Sequence, residues 1–162
     1  MTLKRSFPPV VAADTRLLLC GSLPGDASLA AARYYAHPQN QFWRLLSPVV
    51  GRDLAALDYD ARLAALLAAR VGLWDVVASA RRPGSSDSAI GDLATNDLAG
   101  LVATLPDLRA VAFNGGTALK HGRPLLAGRP ITIIALPSSS PLHTVGLAAK
   151  QPMWDQLRAV LA

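Results

Sequence analysis

The chain has 162 residues, 51% of them apolar, which suits one compact domain over residues 1–162 with one core and leaves little room for a second. Its 16 Lys and Arg against 11 Asp and Glu give a net charge of +5, which favours a polyanionic partner without requiring one. A single cysteine excludes an internal disulfide, three histidines without paired ligand spacing argue against a structural metal, and Pro8-Pro9 interrupts the N-terminus before any signal or membrane span forms, so a cytoplasmic location is expected.

Arg16 to Cys20 is a short apolar run of the length of a strand buried on both faces, with Cys20 as a buried thiol. Asn40 to Val50 carries Phe42, Trp43, Leu45, Leu46 and Val49 at helical spacing, and Asp60 to Arg70 repeats the pattern with Leu63, Leu66 and Leu67. Val71 to Val77 reads as a second strand, followed by a polar loop from Arg81 to Ser88. A helix capped by Thr95 or Asn96 is expected to run to about Thr104, where Leu105-Pro106 ends it. Arg109 to Asn114 is the third strand, a short helix follows from Thr117, and Pro130 to Leu136 is the fourth strand. The last helix is expected from Lys150 onward with Trp154, Leu157, Val160 and Leu161 inward.

Apolar strands alternating with helices predict an α/β fold: a three-layer αβα sandwich around a central, mainly parallel four-stranded sheet. Each strand hands over to a polar loop, at Gly21, near Asp75, at Asn114 and at Pro137. In a parallel sheet those loops gather on one edge, where ligands bind. Two of them are rich in Gly, Pro and Ser, Gly21-Ser22-Leu23-Pro24-Gly25-Asp26 and Pro137-Ser138-Ser139-Ser140-Pro141-Leu142-His143. The first has no P-loop spacing and no Gly-Lys-Ser or Gly-Lys-Thr after it, which disfavours nucleoside triphosphates. Between them lies an aromatic cluster around an amide, Tyr34-Tyr35-Ala36-His37-Pro38-Gln39-Asn40-Gln41-Phe42-Trp43.

Read for chemistry alone, Asn40 is a helix N-cap, an amide able to hold a water, or both. Asn114 can donate and accept, and so either shapes a turn or contacts a ligand. Asp75 is a helix cap, a salt-bridge partner of Arg81 or Arg82, or a ligand reader, and burial would raise its pKa. No pair of acids suited to ordinary glycoside hydrolysis stands out.

These segments together resemble the uracil-DNA glycosylase superfamily, with residues 35–43 and 137–142 the strongest matches and the hypoxanthine, mismatch-specific and thymine branches the nearest in pattern. The resemblance implies a DNA glycosylase of base excision repair that flips out a deaminated base and hydrolyses its N-glycosidic bond, without metal or cofactor. It implies a base site at Ser22, Leu23, Tyr35 and Asp75, with Tyr35 stacked on the base and Asp75 reading its edge. Asn40, as in the hypoxanthine branch, is implied to hold the hydrolytic water, with Asn114 the second candidate. The serines Ser138, Ser139 and Ser140 with their amides are implied to grip phosphates, Leu142 to fill the gap left by the flipped base, and His143 and Arg81 to meet the DNA backbone.

Ser22 departs from the Asn of the mismatch-specific and thymine branches, so the implied substrate is hypoxanthine first, with uracil or a mispaired base as the alternative. The expected partner is double- or single-stranded DNA containing deaminated bases, bound by a monomer. A DNA-binding module of the same fold with little catalysis is the rival from another class. An α/β enzyme doing acyl chemistry ranks last, because no Gly-x-Ser-x-Gly elbow is present.

Overall fold

The computed structural model describes residues 3–87, 90–143 and 145–162. Ser88, the end of the expected polar loop, lies outside them. Strand β2 (Leu17–Gly21) is buried at every position. Its side chains alternate between two clusters: Leu17 and Leu19 join one, Leu18 and Cys20 the other. A strand with a core on each face has no polar side to show, which is why the run reads as continuously apolar.

Around β2 stands a four-stranded parallel sheet, in the order β3 (Val71–Asp75), β2, β6 (Ala110–Asn114) and β7 (Thr132–Leu136). One face is covered by α2 (Phe42–Val50), α3 (Tyr59–Ala68) and α6 (Leu147–Asp155), which bury Phe42, Leu45, Leu66 and Trp154. The other is covered by α4 (Leu98–Ala103), α5 (Gly116–Gly122) and a 3₁₀ turn at Arg123–Leu126, through Leu98, Ala118 and Leu126. This is the three-layer α/β arrangement expected from the alternation of strands and helices. The chain leaves β2 toward β3 on one side and later builds β6 and β7 on the other, so the sheet has its switch point between β2 and β6. The crevice beyond the carboxyl ends of those strands is the usual ligand position of such a sheet.

Four local expectations are corrected. The run Val71–Val77 is two strands: β3 ends at Asp75, and β4 (Val77–Arg81) enters a separate antiparallel sheet between β1 (Leu3–Arg5) and β5 (Gly91–Thr95). The chain turns because Val76 and Val77 donate their N–H groups to Gly21 and Ser22, while the Asn96 side chain donates to the Asp75 carbonyl. Strands β1 and β5 carry no apolar run, and their form comes from pairing with β4. Helix α4 is capped by Asp97, whose carboxylate accepts from Gly100 N–H at 3.0 Å, and not by Thr95 or Asn96. The first loop ends at Gly25 rather than Asp26, because a short helix, α1 (Asp26–Ala31), starts there. The last helix starts earlier than Lys150 and breaks after Asp155, with α7 (Arg158–Leu161) following. Trp154 and Leu157 are buried as expected, and Val160 and Leu161 pack partly against the same cluster.

Helix α5 lies so close to β6 that Gly122 has no room for a side chain, since a Cβ there would run into the Phe113 ring. Gly122→Ala is therefore expected to destabilise the fold by about 1–3 kcal/mol through overpacking. Urea denaturation would show this as a lower midpoint at unchanged slope.

Candidate active site

The carboxyl ends of β2, β3 and β6 open into a cleft of about 610 Å³, a size typical of small-ligand sites. At its floor Gly21 and Asp75 stand opposite each other in the parallel register. A Cβ on Gly21 would lie 2.6 Å from Asp75 Oδ1 and 3.0 Å from the Tyr35 hydroxyl, so only glycine lets these two groups meet the end of β2. Asp75 is 4% exposed and its Oδ2 has no hydrogen-bond partner among the described residues. Burial first, then the nearby Asp87 carboxylate, push its pKa up to about 7, with Arg82 working the other way.

The salt-bridge reading of Asp75 does not hold. Arg82 pairs with Asp87 at 3.5 Å and Arg81 with Asp92 at 3.3 Å. Near neutral pH Asp75 therefore exists in part as a carboxylic acid, able to donate as well as accept. The Tyr35 hydroxyl is the other buried polar atom without a hydrogen-bond partner among the described residues. Burial chiefly, and Asp75 next, hold it protonated, with Asn114 working in the opposite sense.

Tyr35 is presented to the cleft by a left-handed backbone, φ +52°, which a non-glycine residue adopts only when its surroundings impose it. They do so here. The Trp43 indole N–H donates to the Tyr35 carbonyl at 3.1 Å, and the Tyr35 ring stacks on Phe42 with centroids 3.8 Å apart and planes 9° from parallel. Phe42 and Trp43 thus pack α2 against the sheet, and one of the two shapes the aromatic wall of the cleft.

Asn40 lies on the same wall, two residues before the helix. Gln41 occupies the cap position, but the Asn40 side-chain oxygen accepts from Phe42 N–H at 2.9 Å, so Asn40 caps the first turn while it lines the cleft. A carbonyl oxygen has a second lone pair, and Asn40 Nδ2 makes no hydrogen bond to the described residues.

The adjoining wall is the Pro137–His143 loop, whose Ser139 carbonyl accepts from Gln41 N–H at 3.0 Å. Asn114, at the end of β6, fastens it: its Nδ2 donates to Ser139 Oγ and its Oδ1 accepts from Ser139 N–H, both at 2.9 Å. Both ends of this amide are thereby engaged, which favours the turn-shaping reading of Asn114 over water holding. The idea that the serine amides grip phosphate is corrected for Ser139 and Ser140. The N–H groups of Ser139, Ser140, Leu142 and His143 all bond within the protein. Ser138 and Ser140 use their hydroxyl oxygens as acceptors in those bonds, which leaves their O–H protons as donors toward the cleft, while Ser139 is 1% exposed. At the tip Leu142 is 62% exposed, an unusual position for a large apolar residue, with His143 beside it.

Three residues not expected in this role hold these parts together. Lys150, 1% exposed, donates to Gln41 Oε1 at 2.7 Å and to the His143 carbonyl at 3.2 Å, tying the Asn40 wall to the serine loop. Arg82 is no phosphate ligand: its side chain is fully buried, donating to the carbonyls of Leu23, Pro24 and Gly84. Asp87 accepts from Ser22 Oγ at 2.6 Å and lines the cleft with it and Leu23. Only a lone lysine in an apolar helix and an acid in a Gly-Ser loop hinted at the first and last. Arg81, by contrast, is the one candidate that does not line the cleft.

Residues 8–160 match the family model of the uracil DNA glycosylase superfamily. The chain belongs to that superfamily. Two relatives named hypoxanthine DNA glycosylase, from Methanosarcina acetivorans and Methanosarcina barkeri, are 44% and 38% identical to it over 153 residues, which cover 94% of this chain and 96% of each relative. A solution NMR structure of a candidate uracil DNA glycosylase from M. acetivorans superposes with a TM-score of 0.90 at 38% identity, covering 99% of this chain and all of that one. Uracil DNA glycosylase superfamily membership thus extends through both walls of the cleft. Among the described residues no helix is long and apolar enough to cross a membrane.

Asn114→Ala would leave Ser139 N–H buried without a partner, and is expected to cost about 1–3 kcal/mol of stability. Hydrogen exchange should show faster exchange of amides across 137–143 than elsewhere in the variant.

Proposed function

We propose that this chain is a monofunctional DNA glycosylase that extrudes hypoxanthine from DNA and hydrolyses its N-glycosidic bond, leaving an abasic site. The observation that carries this reading is the pair of buried groups at the cleft floor that have no hydrogen-bond partner among the described residues, Asp75 Oδ2 and the Tyr35 hydroxyl. Buried polar groups left without partners are costly, by about 1–3 kcal/mol each, unless a ligand satisfies them. The lactam edge of hypoxanthine offers N1–H as a donor and O6 as an acceptor. A neutral Asp75 accepts from the first and donates to the second, and the Tyr35 hydroxyl is a further donor to O6. The names of the two Methanosarcina relatives support the same base. Uracil offers the same donor and acceptor pair at N3–H and O4 and is the second reading.

Tyr35, its core-side face already closed by Phe42, stacks on the extruded base. Leu142 enters the gap in the stack, and Ser138, Ser140 and His143 contact the flanking phosphates of duplex or single-stranded DNA. Asn40 holds a water at the sugar. As the C1′–N9 bond breaks, its electron pair leaves with the base, and the water oxygen bonds to C1′.

A gel assay on oligonucleotides carrying hypoxanthine, uracil or xanthine, followed by alkaline cleavage of abasic sites, tests the activity. Product from hypoxanthine is expected, with Asn40→Ala slowed about 100-fold or more by loss of the positioned water. No product from any base, alongside salt-sensitive DNA binding, would instead mark a binding module.

The pH dependence follows from Asp75. Its pKa is raised to about 7, so the acid form that matches the lactam is present below that value and lost as pH rises through it. Cleavage of hypoxanthine is expected to decline through pH 7–8 in the wild type. Asp75→Asn, which donates and accepts at every pH, should flatten that decline in single-turnover rates measured from pH 6 to pH 9.

A further inference from the structure

Hydrolysis releases a proton from the attacking water, and an amide cannot take it. The Asn40 side chain can orient the water but is too weak a base to accept its proton. Among the described cleft residues the acids are Asp26, Asp75 and Asp87. Asp26 is held by Lys4 at 2.6 Å, outside the floor, and Asp75 faces the base. Of the two histidines on the cleft, His37 already uses Nδ1 to accept from Gln39 N–H, and His143 stands at the loop tip beside Leu142. Asp87 is different. Its Oδ2 accepts from Ser22 Oγ at 2.6 Å, and its Oδ1 lies 3.5 Å from the buried guanidinium of Arg82. Arg82 is itself anchored on the carbonyls of Pro24 at 2.6 Å and Gly84 at 2.9 Å, one on each of the loops that carry Ser22 and Asp87.

A serine that gives its proton to a carboxylate turns its lone pairs outward. Ser22 is therefore an acceptor toward the cleft.

We infer that Ser22 and Asp87 form the proton-accepting relay of the hydrolysis, with Asp87 as general base acting through the Ser22 hydroxyl. The step balances. The water oxygen bonds to C1′ as the glycosidic electron pair leaves with the base, the water proton passes to Ser22 Oγ, and the Ser22 proton passes to Asp87 Oδ2. Asp87 then yields that proton through solvent to the departed base anion, so the products are a neutral base and an abasic sugar. Arg82 is a positioning residue that holds Asp87 against the first loop. This relay rests on the glycosylase reading and adds the group that reading lacks.

Single-turnover cleavage of a hypoxanthine oligonucleotide tests it, with DNA affinity and thermal stability measured for each variant. Asp87→Asn keeps an acceptor for Ser22 but cannot take a proton, and is expected to lose about 100-fold or more in rate with DNA affinity unchanged. Asp87→Ala should be slow and regain rate as formate is added, the small carboxylate replacing the missing one. Adding Ser22→Ala to Asp87→Asn should bring little further loss, because the two act in one path. An Asp87→Asn protein that cleaves near the wild-type rate overturns the relay and leaves the glycosylase reading intact. So does an Asp87→Ala protein whose rate loss is matched by lost DNA affinity or stability and is indifferent to formate. A wild-type protein that releases no hypoxanthine overturns both.

Discussion

The parallel pairing of β2 with β3 on one side and β6 on the other is the constraint on which the rest depends. Because the strands run the same way, Gly21, Asp75 and Asn114 finish on one edge of the sheet. Placing Gly21 opposite Asp75 then brings a carboxyl group beside the Tyr35 hydroxyl in a space that a single methyl group would fill. Burial on both faces of β2 holds that register firmly, since a slip by one residue would move Leu17 and Leu19 out of one cluster and into the other.

The walls of the cleft are built on that floor by side chains bonding to backbone. Asn114 fastens the serine loop, Trp43 and Phe42 fix Tyr35, Arg82 gathers the carbonyls of the first loop, and Lys150 bridges the two walls. The Lys150 ammonium is buried against neutral acceptors among the described residues, Gln41 and the His143 carbonyl, and burial lowers its pKa. Much of the polar capacity of the loops is spent inward. The groups left facing outward are then few: the floor pair, the Asn40 amide, Ser22 with Asp87, two serine hydroxyls and the exposed Leu142. This selection of a small set of free groups from many polar residues is what turns a polar loop cluster into a specific site.

The central strands were readable because each is apolar throughout and stopped by a polar or glycine residue, and helices α2 and α3 because their apolar spacing is regular. The small sheet was not readable. Gly91–Thr95 is largely exposed and carries no pattern, and it becomes a strand only because β4 offers it an edge. In the site, Tyr35, Asn40 and the serine loop were found through a local motif. Asp87 and Lys150 were not, since each acts on a residue far away in the chain: Ser22 for the one, Gln41 for the other. The expected pairing of Arg82 with Asp75 and the expected grip of the Ser139 and Ser140 amides failed for a related reason. An arginine in a polar segment looks exposed, and an amide in a loop looks free, until the carbonyls and side chains that claim them are known.

Hydrophobic periodicity and turn chemistry are local properties, so the sequence by itself determined the layered α/β class, the edge of the sheet that carries the cleft, and the loops that line it. Which polar groups remain free to meet a ligand is a property of pairing across the whole chain. Tertiary structure alone decided that Asp75 Oδ2 and the Tyr35 hydroxyl lie buried without a hydrogen-bond partner among the described residues, that Asn114 is engaged in holding a loop, and that Ser22 gives its proton to Asp87. The physical reason is that hydrogen-bond capacity and burial depend on every neighbour a residue acquires on folding, most of them distant in sequence.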